Sequence, residues 1–281
     1  MAIQSMLVVG AGQMGSGIAQ VAAQAGLEVT IVDVSPQALE RAQERIKAGI
    51  EKAARRGAIK PDEVAGILAR VKTATGFDSI SVDMAVEAVT ENEALKREIF
   101  ASLDQVVKPG GVIATNTSSL PITRLATATK RPDAVIGMHF MNPVPMMALV
   151  EIIHGAQTSE QTFESTVEVA KRMGKTAVVA RDFPGFIVNR VLIPYLNEAC
   201  YALMEGVGSV EDIDAAMKLG TNVPMGPFTL ADFIGLDTCL SIMEVLHKGL
   251  GDDKYRPCPL LRQYVDAGWL GKKTGRGFYK Y

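Results

Sequence analysis

A doubly wound, mainly parallel α/β sheet followed by an all-helical domain is the fold class this chain predicts, on three observations. Short apolar runs alternate with helical stretches through the first part of the 281 residues. Buried parallel strands joined by crossover helices leave that pattern. The first run ends in a glycine cluster, GAGQMG, at residues 10–15. Strand signals then almost vanish after RDFPGF at 181–186. We therefore expect a first domain over 1–184 and a helical second domain over 185–281, a length that suits two domains.

The elements follow in order. MLVVG (6–10) is apolar and ends in glycine, which suits a buried strand. Residues 14–25 are good helix formers, and Gly26 supplies a stop. EVTIVDV (28–34) is β-branched and reads as the second strand. Ser35 and Pro36 read as an N-cap and a first helical proline. A charged helix to about Gly57 and a second helix over 61–71 make a helical pair (about 36–71) that projects from the sheet. Strand signals return at DMAVEAV (83–89), GVIATN (111–116), AVIGMHF (134–140), LVEIIHG (149–155) and TAVVA (176–180). Beyond the boundary, 187–205, 212–219 and 230–246 read as helices, and the tail GWLGKKTGRGFYKY as an ordered loop.

The glycine cluster has the context that gives it meaning. Gly10, Gly12 and Gly15 follow a strand and open a helix. The first permits the tight turn, the second lets backbone approach a pyrophosphate, and the third lets helix and strand pack closely. With Gln13 and Met14 between them, they form a phosphate cradle at a helix N-terminus. Asp33 ends the second strand, close to the ~20-residue offset at which a carboxylate accepts ribose hydroxyls. It repels a 2′-phosphate, so the cofactor expected in this Rossmann-type domain is NAD rather than NADP.

The segment HFMNPVPMMALVE holds His139 and Glu151 at its ends, in otherwise apolar sequence. Oxidising an alcohol removes a hydride from carbon and a proton from oxygen. An imidazole can take and return that proton near neutrality, and a carboxylate on its other nitrogen fixes the tautomer. The turn at Pro143–Pro145 can fold the chain back to bring the two together. TNTSS (115–119) ends another strand and carries Asn116 and Ser118 to the same edge as Asn142. Such donors can orient a substrate oxygen and stabilise charge on it.

Taken together, VVGAGQMGSGIAQ, NTSSLPIT, GMHFMNPVPMMALVEII, PGFIVNR, VPMGPF, DFIGLD and GWLGKKTGRGFY make the chain resemble the 3-hydroxyacyl-CoA dehydrogenases, of the short bacterial 3-hydroxybutyryl-CoA type, over essentially its full length. The resemblance implies His139 as acid/base with Glu151 as its partner. It implies Ser118 and Asn189 on the substrate oxygen, and Asn142 near the nicotinamide. Glu91 and Lys96 match a Glu and a Lys that touch the cofactor, and we place Asn116 and Ser118 beside it. Met141 stands where an aromatic is commoner, and Met146, Met147 and Ala148 replace V-M-K. Related builds leave two other readings: a gulonate-type sugar-acid dehydrogenase, and a non-enzymatic NAD-binding structural protein.

Lys52, Arg55 and Arg56 lie near a helix C-terminus, where basic groups also suit the helix dipole. The resemblance implies that this region binds CoA, which makes an acyl-CoA the expected partner. The formal net charge of -2 gives no sign of nucleic-acid binding. No secretory signal and no apolar run of about 18 residues is seen, so no membrane partner is expected. The three cysteines, Cys200, Cys239 and Cys258, lack paired spacing and suit a reducing cytoplasm. Only three histidines occur, and no metal site is expected. The apolar helical domain suggests a homodimer.

Overall fold

The structure, a computed structural model, describes residues 2–281. Contacts divide the chain into two compact units, one ending at Phe183 and one over Pro184–Tyr281.

The first unit holds β1 (Ser5–Val9), α1 (Gln13–Gln24), β2 (Glu28–Val32), α2 (Pro36–Arg55), α3 (Val64–Ala69), β3 (Val71–Ala74) and β4 (Val82–Glu87). It continues with α4 (Glu93–Val106), β5 (Val107–Thr115), α5 (Ile122–Ala126), β6 (Val135–Phe140), β7 (Leu149–His154), α6 (Glu160–Arg172) and β8 (Thr176–Arg181). The strands form one sheet in the order β3-β2-β1-β4-β5-β6-β7-β8. Pairings are parallel except β6 with β7. The order reverses direction between β1 and β4. That is the switch point at which open sheets bind ligands, beyond the carboxyl ends of the strands.

Residues of β4 and β6 are buried throughout, as expected for strands covered on both faces. The helical pair is less detached than its charge suggests. Leu39, Ala42, Ile46 and Ile50 form a buried stripe on α2, and a Cβ on Gly49 would run into the side chain of Gln20 on α1. Each buried isoleucine contributes roughly 1.5–3 kcal/mol, which anchors the root of the pair. Its second helix is also shorter than expected. The helix ends at Ala69, and Val71–Ala74 forms the edge strand β3 instead. Thr30 of β2 lies opposite Lys72 of β3, and the pairing satisfies backbone groups on the outer side of β2.

The second unit contains α7 (Val188–Met204), α8 (Val210–Gly220), α9 (Pro227–Ile234), α10 (Leu236–Leu250) and α11 (Pro259–Asp266). Its core includes Ile193, Leu196, Phe228, Met243 and Leu246. The single helix expected over 230–246 is two helices, broken at Gly235, whose φ of 105° lies where side chains are strained. The helix α11 lies in sequence that gave no helical expectation. Two buried carboxylates tie the unit together. Asp214 accepts from the backbone N–H groups of Phe228 and Thr229 and thereby caps α9, whose Gly226 N-cap has no side chain to do so. Asp232 accepts from the N–H groups of Phe278 and Tyr279 and from the Tyr281 hydroxyl, fastening the tail. Among the described residues, no helix is long and apolar enough to cross a membrane.

Candidate active site

The turn after β1 gives each glycine a physical reason. Gly10 has φ 105°, and its N–H donates to the Val32 carbonyl. A Cβ on Gly15 would run into the Gly10 carbonyl oxygen, so Gly15 sets the packing of α1 on the strand. A Cβ on Gly12 would meet nothing within 4 Å. Gly12 is the N-cap of α1 and supplies no side-chain cap, and the first turn holds no acidic residue. Uncapped N–H groups at a positive helix end suit a phosphate.

A cavity of about 780 Å³ opens beside this turn, lined by Gly10, Gly12, Gln13, Met14 and Asp33 among others. Arg45 also lines it, and its guanidinium donates to the Ala11 carbonyl. Asp33 is partly occupied: Oδ2 accepts from the Ala11 N–H and Oδ1 from the Ser35 N–H. Each oxygen keeps a second lone pair for a ribose hydroxyl. The open cradle, the uncapped helix and this carboxylate fit the pyrophosphate and ribose of NAD.

Across the antiparallel pair β6–β7, His139 is in register with Glu151. The His139 Nδ1 lies 2.7 Å from Glu151 Oε2, with His139 7% and Glu151 0% exposed. The chain that joins them turns through Asn142–Pro143, a cis peptide bond. The Asn142 side-chain carbonyl accepts from the Gln13 amide at 2.9 Å, joining this segment to the glycine turn. Asn116 Oδ1 accepts from the Phe140 N–H at 2.9 Å, which ties the end of β5 to the end of β6.

Glu91 gathers the TNTSS loop. Its Oε1 accepts from the N–H groups of Ser118 and Ser119, each at 3.0 Å, and from the hydroxyls of Thr117 and Ser119. Desolvation pushes the Glu91 carboxyl up, but the Lys96 ammonium and these hydrogen bonds outweigh it and hold the group below its ordinary range. Lys96 itself is turned inward. It takes a core-facing place on α4, in the stripe with Ile99, Phe100 and Leu103. Its Nζ lies 2.7 Å from Glu87, 3.3 Å from Glu91 and 3.4 Å from the Val89 carbonyl. Three oxygens match three N–H donors, so Lys96 supports Glu91 rather than presenting its ammonium to the cavity.

A second cleft, of about 630 Å³, is lined by Lys52, Arg56, Pro143, Pro145, Met146 and Arg172, among others. Arg55 does not line it. Successive residues sit about 100° apart around a helix, so Arg55 and Arg56 cannot share one direction. Asn189 lies in the first turn of α7, in the second unit. His154, at the end of β7, is half-buried with its ring 4.5 Å from that of Phe163.

Two residues at the site have no counterpart in the sequence reading. Lys175 is 8% exposed and donates to the Val144 carbonyl and to that of Met147 at 2.8 Å, fixing the proline turn. Desolvation holds its ammonium below the usual lysine range. No pattern in the sequence marks it. Glu87, wholly buried, leaves a signal in the sequence: with Asp83 it is one of two carboxylates in an otherwise apolar strand.

Residues 5–183 match the NAD binding domain of the 3-hydroxyacyl-CoA dehydrogenases, and residues 185–281 match their C-terminal domain. A probable 3-hydroxybutyryl-CoA dehydrogenase of Bacillus subtilis is 56% identical over 282 residues, covering 100% of this chain and 98% of the relative. A 3-hydroxybutyryl-CoA dehydrogenase of Bradyrhizobium diazoefficiens is 53% identical, with 99% and 96% covered. The crystal structure of (S)-3-hydroxybutyryl-CoA dehydrogenase from Ralstonia eutropha superimposes with a TM-score of 0.96 at 47% identity, covering 100% of this chain and 99% of that one. With both domains matched and relatives this similar along its whole length, the chain belongs to the 3-hydroxyacyl-CoA dehydrogenase family.

Proposed function

We propose that this enzyme interconverts short-chain (S)-3-hydroxyacyl-CoA, with 3-hydroxybutyryl-CoA as the preferred substrate, and 3-oxoacyl-CoA, using NAD. The observation that carries this reading is the buried His139–Glu151 pair on β6 and β7, in a segment whose Asn142 is hydrogen-bonded to Gln13 of the glycine turn. Bound NAD would supply the hydride acceptor for oxidation at C3 and, once reduced, the donor for the reverse direction. Gly10, Gly12, Gln13, Met14 and Gly15 would build its phosphate site, and Asp33 would accept the ribose hydroxyls. Glu91 backed by Lys96, together with Asn116, Ser118 and Asn142, would line its nicotinamide end.

His139 takes the C3 hydroxyl proton in oxidation and gives it back in reduction. Glu151, accepting at Nδ1, selects the tautomer whose basic lone pair is on Nε2 and stabilises the imidazolium that forms. Ser118 holds the C3 oxygen as its charge changes; the same role for Asn189 is what the family resemblance implies. Lys52 and Arg56, on the cleft that the proline turn also lines, bind the phosphates of CoA.

The second unit exposes Val191, Val207, Leu219 and Phe233, and we assign that apolar surface to a homodimer contact. The three cysteines are free and buried, which suits work in the cytoplasm. The deciding assay is NADH oxidation with acetoacetyl-CoA, run beside longer 3-oxoacyl-CoA esters and free 3-oxo acids. Turnover with the four-carbon thioester, falling with chain length, is expected. Activity with the free acids alone would replace this reading with a sugar-acid-type dehydrogenase.

A further inference from the structure

Beneath the loop that carries Ser118 lies a buried charge network that the reaction itself does not use. Glu87 is 0% exposed, and its side chain accepts three hydrogen bonds. Its Oε1 accepts from the Lys96 ammonium and from the Val89 N–H, both at 2.7 Å. Its Oε2 accepts from the Thr115 hydroxyl at 2.6 Å, and its backbone carbonyl accepts from the Asn116 N–H at 2.7 Å. Thr115 Oγ1 in turn accepts from the Thr117 N–H at 3.1 Å.

Two arms therefore leave one carboxylate. The first runs from Glu87 through Lys96 to Glu91, and Glu91 gathers the N–H groups of Ser118 and Ser119. The second runs from Glu87 through Thr115 to Thr117, in the same loop. Burying a carboxylate and an ammonium is costly, and a packed apolar pair would be as stable or more so. The charges need another reason, and the loop at the end of both arms supplies it.

We propose that Glu87 is a positioning residue that sets the placement of Ser118. It acts by holding Lys96 away from full pairing with Glu91 while fixing Thr115. With Glu87 charged, Lys96 is shared between two carboxylates, and Glu91 keeps lone pairs for the loop. With Glu87 neutral, Lys96 is balanced by Glu91 alone, draws it inward and loosens the Ser118 and Ser119 contacts. This rests on the reading above that Ser118 touches the substrate oxygen.

The test uses the full-length enzyme carrying Glu87→Gln, whose amide oxygen can still serve Val89 and Lys96. It also uses the double variant Glu87→Gln/Lys96→Met, which removes both buried charges and keeps folding safe if the single variant fails. Hydrogen exchange without ligands reads the loop, and steady-state kinetics with acetoacetyl-CoA and NADH read the reaction. Faster exchange confined to residues 117–119, with kcat lowered roughly 10–100-fold, is expected from a displaced Ser118. Wild-type exchange and wild-type kcat in both variants would overturn the proposal. Loosening spread evenly through the sheet would also overturn it, leaving Glu87 a general structural residue. If the wild-type enzyme does not turn over acetoacetyl-CoA, the functional reading fails, while the exchange pattern still judges Glu87.

Discussion

His139 and Glu151 are register partners on neighbouring antiparallel strands, and the imidazole Nδ1 meets the carboxylate at 2.7 Å. Neither side chain has to swing into place, because the pleat of the sheet puts both on one face. Replacing His139 with Gln should lower turnover by roughly 10²–10⁴, the range for losing a general base, and leave NADH binding unchanged. Glu151→Gln should cost less, because an amide oxygen can still accept from Nδ1 while the imidazolium loses its countercharge. Stopped-flow turnover and NADH fluorescence titration measure the two quantities separately. Undiminished turnover in His139→Gln would remove it from the mechanism.

The glycine turn yields a pair of variants with opposite signatures. An alanine at position 12 has open space and an ordinary backbone, with φ -69°, so Gly12→Ala should melt like the wild type. Its methyl group would occupy the space needed by the pyrophosphate, so NADH affinity should collapse. Gly15→Ala instead drives a methyl group into the Gly10 carbonyl, and should destabilise the fold by about 1–3 kcal/mol or more. Thermal melts with and without NADH distinguish them. A Gly12→Ala protein that binds NADH normally would show that the pyrophosphate lies elsewhere.

Asp33 serves both the fold and the ligand. Asp33→Ala removes the acceptor for the Ala11 and Ser35 N–H groups, so NADH should bind more weakly. The same change removes the repulsion felt by a 2′-phosphate. The ratio of NADPH to NADH dissociation constants should therefore shrink. Unaltered discrimination would mean that the exclusion of NADPH is set by another residue.

Much of this was legible in the sequence because it is local or periodic. The glycine turn, Asp33 and the strand that ends at Phe140 announce themselves through spacing and hydropathy. What stayed hidden depends on residues distant in the chain. The meeting of His139 with Glu151 was expected from the proline turn, but not the antiparallel register of β6 with β7 that achieves it, which such a turn permits but does not dictate. Lys96 looks like a surface lysine until Glu87, nine positions earlier, supplies a buried countercharge. The break at Gly235 was missed because the sequence is apolar on both sides of it, and hydropathy does not register a positive φ.

The basic turn of α2 gives a prediction with an internal control. Lys52 and Arg56 line the cleft beside the proline turn, while Arg55 does not. Lys52→Ala and Arg56→Ala should raise KM for acetoacetyl-CoA with kcat preserved, the mark of lost uniform binding. With an acetoacetyl-pantetheine thioester, which lacks the nucleotide phosphates, the same variants should match the wild type. Arg55→Ala should match it with both substrates. A KM increase that persists with the shortened thioester would show that these residues act on the fold.

Acid stability should report on the base of the sheet. Asp83 accepts from the N–H groups of Gln4 and Ser5, the Ser5 hydroxyl and the Lys108 ammonium, each at 2.9 Å. Burial pushes its carboxyl up, but these four donors outweigh it and hold it at about 2, below the ordinary 3.8. A depressed folded-state value means that the carboxylate form favours folding. The stabilisation is present above the unfolded-state value and is lost as pH falls from about 4 to about 2. Lys108 is 40% exposed, so screening leaves roughly 1–2 kcal/mol of the full linkage. Asp83→Asn should therefore be less stable than the wild type by that amount near neutrality, with the gap closing as the pH is lowered through this window. Urea unfolding across the range measures it, and a gap that stays constant down to the lowest pH would mean that the Asp83 charge contributes nothing to stability.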